Sequence, residues 1–258
     1  MTKSELRRRK LLEMLQVNKR LTVKSVAGAL DISEATTRRF FARLEQEGQV
    51  LRIHGGVQLA PQLGYDYSFR AAAAHRNKEK TAIGKAAAEL VASHERIFLD
   101  SGTTVLKFAE ALALKIQAGA ITNLVVVTNS LTHIETLARW CKVILIGGEI
   151  RVERKDACGT IGEKTLLLFH FDKAFLGADA ISLTGGFKTT DERTSKINEI
   201  VIERTDRAYV LADAEKFTKT SFIQYADLTD VAAIYTDDAL SAEIFNAFRN
   251  AGAPIHIV

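Results

Sequence analysis

The sequence predicts an α/β protein in two parts: a winged helix-turn-helix domain over residues 1–60, a linker over 61–77, and a doubly wound, mostly parallel α/β domain over 78–258. Three observations carry this. The 258 residues exceed the ~150 usual for one domain. The first sixty read as helix, short helix, three-residue turn, helix and hairpin, in that order. From residue 78 onward, helical stretches alternate with short, almost wholly apolar strands, the pattern of a parallel sheet covered on both faces.

A first helix spans residues 3–17, with Leu6, Leu11, Met14 and Leu15 as its apolar stripe and Arg7-Arg8-Arg9-Lys10 as a charged run. Thr22 caps a short helix running to Ala29, and Leu30-Asp31-Ile32 turns into the third. There Ser33 is an N-cap whose hydroxyl can accept a free first-turn N–H, and Gly48 suits the left-handed residue past the end, giving a helix over 34–47. Thr37, Phe40, Phe41 and Leu44 share its buried face; Thr36, Arg39 and Arg43 share another. Hydroxyls and guanidinium forks on the front half of a helix suit base edges in a major groove. Strands 50–53 and 57–59 flank His54-Gly55-Gly56, a hairpin with a basic tip. The expected DNA contacts are Ser33, Thr36, Thr37, Arg38 and Arg39 at the groove, with Arg52 and His54 on phosphate or in the adjacent minor groove; Thr37, which lies on the Phe41 and Leu44 face, has the core as its alternative.

Charge follows this division. The net charge is +4, but residues 1–60 hold 12 Lys/Arg against 6 Asp/Glu and the rest 23 against 25. The basic excess belongs to the small domain and implies a polyanionic partner bound in a salt-dependent way. Pro61, one of two prolines, opens the linker where helix and strand patterns both lapse.

In the second domain, helices over 78–92, 104–118, 131–140, near 161–169, near 193–204 and 240–250 alternate with strands over 96–99, 124–128, 142–146, 173–176, 208–211, 231–235 and 255–258. Ligands of such sheets bind at the carboxyl ends of the strands. There the sequence places Asp100-Ser101-Gly102-Thr103-Thr104, Thr128-Asn129-Ser130, Gly147-Gly148-Glu149, Gly177-Ala178-Asp179 and Asp213-Ala214-Glu215-Lys216. A glycine, two hydroxyls and the start of a helix make an anion site suited to phosphate. A small phosphorylated ligand accounts for five polar ends on one side. No apolar run approaches the ~18 residues of a membrane span and no secretory signal is visible, so a cytoplasmic protein is expected. Cys141 and Cys158 lack disulfide or zinc spacing and read as reduced packing residues; no metal or cofactor is expected.

The chain resembles the DeoR family of transcriptional regulators over essentially its full length. SEATTRRFFARLEQEGQVLRIHGG carries the resemblance in the first domain; Lys78-Glu79-Lys80, LDSGTT, VVTNSL, ILIGGE, KAFLGAD and LADAEKF carry it in the second. It implies a homodimer or homotetramer on operator DNA, most simply a repressor of a carbohydrate-utilisation operon, whose second domain senses a phosphorylated sugar or related metabolite. That sensor domain also resembles ribose-5-phosphate isomerase. The comparison implies phosphate contacts from Lys80, Thr103, Thr104 and Lys216; with Gly102 beside them, the strand-end residues Asp100, Asn129, Ser130, Gly148, Glu149 and Asp179 complete the expected effector site, Asn129, Glu149 and Asp179 meeting sugar hydroxyls. Two departures stand out. The family usually has isoleucine at Thr37 and aspartate then leucine at Phe40-Phe41; Thr194-Ser195 and Asn198 replace its usual acidic pair and lysine. An isomerase-like enzyme is the alternative, but in an ungapped match its base falls on Asn198, and an amide cannot accept the proton.

Overall fold

A computed structural model describes residues 3–18, 20–46, 50–53, 55–59 and 68–258. The chain forms two compact units, Met1–Ala71 and Ala72–Val258.

The first unit contains α1 (Lys3–Asn18), β1 (Arg20–Thr22), α2 (Val23–Leu30), α3 (Glu34–Gln46), β2 (Val50–Ile53) and β3 (Gly56–Leu59). Thr22 caps α2 by accepting from Ser25 N, while the Ser25 hydroxyl accepts from Thr22 N. Asp31, in the left-handed conformation at φ 50°, ends it. Ser33 caps α3 as the sequence predicts, its Oγ accepting Thr36 N at 3.2 Å. Leu11, Leu15, Leu21, Val26, Leu30, Phe41, Leu44, Val50 and Val57 close one core. The wing has three antiparallel strands in the order β1-β3-β2, where the sequence suggested two. Three residues, of which only Leu21 is buried, are too few to show alternation. The expected helix end at Glu47-Gly48, the hairpin tip His54 and the Pro61 linker start lie outside the described residues.

In the second unit the order is α4 (Phe69–Ala74), α5 (Asn77–Ala88), β4 (Arg96–Leu99), α6 (Thr103–Gln117), β5 (Val125–Thr128), α7 (Leu131–Leu137), β6 (Lys142–Leu145), β7 (Glu149–Arg151), β8 (Asp156–Cys158), α8 (Thr160–Leu166), β9 (Lys173–Leu176), β10 (Ala180–Ser182), β11 (Gly186–Thr189), α9 (Glu192–Glu203), β12 (Ala208–Leu211), β13 (Ile223–Ala226), β14 (Ala233–Thr236), α10 (Ala242–Asn250) and β15 (Ile255–Ile257). Helix α4, which straddles the boundary between the two units, falls inside the stretch assigned to a linker, and its Phe69 is buried. Seven strands form one parallel sheet in the order β15-β14-β12-β9-β4-β5-β6. Alternate residues face two cores. Ile97 and Leu99 of β4, Val126 of β5 and Phe175 of β9 meet α5 and α6 on one face; Phe98, Val127, Ala174 and Leu176 meet α8, α9 and α10 on the other. Strands apolar on both sides are what the sequence showed as unbroken apolar runs. No described helix is long and apolar enough to cross a membrane.

Between these parallel strands sit two antiparallel additions that periodicity did not reveal, the β7–β8 hairpin and a sheet in the order β10-β11-β13. They matter because they overhang the carboxyl edge.

Candidate functional site

The sheet grows in one direction from β4 to β5 and β6 and in the other from β4 to β9, β12, β14 and β15. The gap between β4 and β9 is therefore the topological switch point, where an open α/β sheet leaves a crevice at its carboxyl edge. Asp100, just past β4, bridges it. Its Oδ2 accepts Gly177 N at 3.0 Å, across the gap, and its Oδ1 accepts Ser101 N at 2.7 Å. Asp100 thus fixes the turn against the neighbouring strand end, with both oxygens engaged by backbone rather than turned to a ligand.

Gly102 is the N-cap of α6 and no side chain caps that end. The first-turn N–H groups, Thr103 and Thr104 among them, begin a helix of 15 residues whose dipole favours an anion. Helix α5 runs alongside. An added Cβ on Gly84 would lie 2.5 Å from Lys107 C and Phe108 N, so the two backbones nearly touch. One turn back on each helix come Lys80 and the Thr103-Thr104 pair. Lys80 is buried, its Nζ donating to Ala72 O at 2.7 Å and His75 O at 2.6 Å. An ammonium keeps one donor after two such bonds. Burial lowers its pKa to about 8, Asp213 opposing and Lys216 and Lys219 assisting. Lys216, half-buried on a single 3-10 turn after β12, donates its backbone N–H to Asp213 O at 3.0 Å, and its ammonium has no hydrogen-bond or ion-pair partner among the described residues. Arg76 fastens this corner, reaching Asp237 at 2.7 Å and lying 3.6 Å from Glu79 and Glu215 and 3.9 Å from Asp213.

On the other side of the turn lies a buried polar network that the sequence did not disclose. Ser101 Oγ donates to Asp156 Oδ2 at 3.1 Å. Asp156 accepts both Nε and Nη2 of Arg151, at 2.8 and 2.6 Å. Arg151 also donates to Asp191 Oδ1 at 2.5 Å and Thr194 Oγ1 at 3.0 Å. Asp191 is the N-cap of α9. Asp179 Oδ2 gathers the Thr189 and Thr190 hydroxyls and Thr190 N. Arg151, Asp156, Asp191 and Thr194 carry no motif; the only trace in the sequence is a set of charges in a stretch that proves to be buried.

The remaining sequence-derived residues fall as follows. Asn129 is fully buried, its Nδ2 donating to Ala157 O at 3.4 Å and its Oδ1 unpartnered. Buried Ser130 pairs its hydroxyl with Thr132. Glu149 is exposed and pairs with Arg193 at 2.9 Å. Gly148 has a structural role of its own. At φ +147° an added Cβ would lie 2.3 Å from Cys158 O, so this glycine lets β7 turn against β8. On α3, Thr37 requires correction. It is fully buried and its hydroxyl donates to Ser33 O at 3.3 Å, because it shares the face of Phe41 and Leu44. Ser33, Arg38 and Arg39 are exposed and Thr36 half-buried; Arg38 pairs with Glu34, and Arg52, also exposed, stands 4.0 Å from Glu45.

Two buried groups here give opposite pH dependence. Burial pushes Asp100 up from 3.8 to about 6, against its two backbone N–H donors and with Asp156 and Asp179 adding to the rise. Its contribution is therefore full below 3.8 and is lost as pH climbs through about 6. Burial depresses His133 from 6.5 to about 3; it stays neutral, and because Thr128 Oγ1 donates to Leu99 O, His133 Nδ1 donates to Thr128. Its contribution is full above 6.5 and lost as pH falls towards 3. Between roughly pH 4 and 6 the two slopes offset. Urea unfolding of His133→Gln should show stability falling with pH relative to the parent by about 1 kcal/mol per unit, and Asp100→Asn the reverse. Equal slopes in all three proteins would refute the assignment.

The family model of the DeoR C-terminal sensor domain matches residues 75–238, and that of the DeoR-like helix-turn-helix domain residues 7–62. The transcriptional repressor AccR of Agrobacterium fabrum is 31% identical over 234 residues, covering 90% of this chain and 88% of its own. The HTH-type transcriptional regulator GlpR of Haloferax volcanii is 29% identical over 250 residues, covering 96% of each. Among solved structures, ribose 5-phosphate isomerase A of Methanocaldococcus jannaschii aligns with 55% of this chain and 54% of its own at 19% identity and a TM-score of 0.41.

Proposed function

Since the chain belongs to the DeoR family of transcriptional regulators, we propose that it represses a carbohydrate-utilisation operon and that a phosphorylated sugar at the carboxyl edge of the β4–β9 crevice sets its DNA affinity. The observation that supports the effector half is the uncapped start of α6 at the switch point, one helix away from buried Lys80. Phosphate would take the free N–H groups of Gly102-Thr103-Thr104 and the charges of Lys80 and Lys216. The face of α3 opposite Phe41 and Leu44 would enter the major groove, with Thr36, Arg38 and Arg39 foremost, Ser33 at the helix start and Arg52 on the wing. A single winged helix covers little DNA, so two or four copies on repeated half-sites are part of the reading. A ligand shifts such an equilibrium only by its differential affinity for the two arrangements. No catalytic role is assigned: Asn198 holds the place of the isomerase base.

The test is a fluorescence-anisotropy titration of the full chain on its own upstream region, with and without a panel of sugar phosphates. One sugar phosphate should shift the midpoint. Lys216→Ala, which removes one of the two charges, should weaken that response while leaving DNA affinity intact, and Arg39→Ala should weaken specific binding by ~1–3 kcal/mol. No response to any sugar phosphate, or unchanged DNA affinity for Arg39→Ala, would sink the respective half.

A further inference from the structure

The two flanks of the α6 start differ in charge. On the Lys80 side stand Lys216 and Lys219, close enough to lower the pKa of Lys80. On the other flank, Asp100, Asp156, Asp179 and Asp191 belong to one hydrogen-bonded neighbourhood with Arg151, which Asp156 and Asp191 already occupy. Arg154 reaches that neighbourhood at its rim, through the Thr190 hydroxyl. These four aspartates accompany the buried guanidinium of Arg151, while Arg154, Lys188 and the Glu149–Arg193 pair stand half-buried or exposed around them. Burial raises the pKa of the Tyr225 hydroxyl, which donates to Gly177 O at 2.7 Å, with the charges of Asp100 and Asp179 adding to it; burial likewise raises Asp100, opposed by its two backbone N–H donors and reinforced by Asp156 and Asp179.

Independent of charge, this flank holds polar atoms without partners. Asn129 Oδ1 is one, next to the hairpin strand that carries Asp156. The carboxamide of Asn198 is another, fully buried one turn along α9 from Thr194, with neither Oδ1 nor Nδ2 hydrogen-bonded. Asp179 directs only Oδ2 to its three donors. Acceptors left unsatisfied in a buried site are costly until a donor arrives. A hydroxyl can donate; a phosphate dianion cannot.

We propose that this flank is a charge filter, with Asp179 its principal element, so that the effector carries a single phosphate and an uncharged polyhydroxyl remainder and a second phosphate is rejected. The proposal rests on the effector reading above and narrows it. The anion binds at the α6 start, and the remainder of the molecule extends over Asp179 and Asn129, where its hydroxyls donate to the open acceptors. A bisphosphate would bring its second charge against Asp179 and its neighbouring carboxylates, where the buried guanidinium of Arg151 is already engaged by Asp156 and Asp191.

Calorimetry on the full chain with matched pairs tests this: fructose 6-phosphate against fructose 1,6-bisphosphate, and ribulose 5-phosphate against ribulose 1,5-bisphosphate, with inorganic phosphate as the ion control. In at least one pair the monophosphate should bind about tenfold or more tightly than its bisphosphate, since like charges brought together across an interface are strongly disfavoured. Asp179→Asn should narrow that ratio. Raising salt in the parent protein should narrow it too, which keeps the test open if the variant does not fold. A bisphosphate that binds as tightly as its monophosphate overturns the filter while leaving the effector reading intact. A ratio unmoved by Asp179→Asn and by salt overturns the electrostatic origin. Failure of every sugar phosphate to bind overturns both.

Discussion

Gly84→Ala will lower the stability of the sensor domain by roughly 3 kcal/mol or more, although alanine is the better helix former by ~1 kcal/mol. The sign is set by what the new methyl would meet. Its carbon would lie 2.5 Å from Lys107 C, 2.5 Å from Phe108 N and 2.8 Å from Lys107 O, all backbone, so no side chain can swing aside. Helix α5 would have to withdraw from α6 as a body, opening the layer where Ile83, Ala87, Phe108 and Leu112 are fully buried. For a unit of this size each kcal/mol corresponds to about 2–4 °C, so thermal melting should fall by about 6–12 °C. The same retreat separates α5, with Lys80, from the start of α6, and under the proposed effector reading any response to sugar phosphate should weaken even where the protein is folded. A melting temperature equal to or above that of the parent would refute the close approach of the two helices.

What the sequence made legible divides along physical lines. The sheet of the sensor domain could be read because buried parallel strands such as Ile97-Phe98-Leu99 are apolar on both faces and their turns carry glycine and hydroxyls. The α3 cap could be read because Ser33 acts on the backbone three residues away. Thr37 defeated a residue-type argument: a hydroxyl on a recognition helix suggests a groove contact, yet helical spacing places it under Phe41. The β7–β8 hairpin and the β10-β11-β13 sheet were illegible because strands of three or four residues hold no period to count. The hidden half of the candidate site depends on them. Arg151 meets Asp191 across 40 positions of chain, and Ser101 meets Asp156 across 55; pairings of that reach appear only once the chain is folded.

Arg151→Met should be the most damaging substitution that removes a charge. Arg151 is 8% exposed, and its carboxylate partners Asp156 and Asp191 are 1% and 0% exposed. Deleting the guanidinium removes the buried cation that both share, and breaking a buried ion pair from one side typically costs ~3–5 kcal/mol, because the penalty is the charge that stays behind. Arg151→Lys should recover little, since a single ammonium cannot reproduce a fork that bonds Asp156 at two atoms, Asp191 and Thr194 together. The informative variant neutralises all three: Arg151→Met with Asp156→Asn and Asp191→Asn. Asparagine can still cap α9 and can still accept from Ser101, so the triple variant should regain most of the stability lost by the single one, as replacement of buried ion triads by neutral groups often does. Urea unfolding of the parent, single and triple variants decides the matter. A single variant that loses less than about 1 kcal/mol would place Arg151 in contact with water and outside the range expected of a buried pair. A triple variant as unstable as the single one would mean that the guanidinium holds the hairpin to α9 by shape rather than by charge.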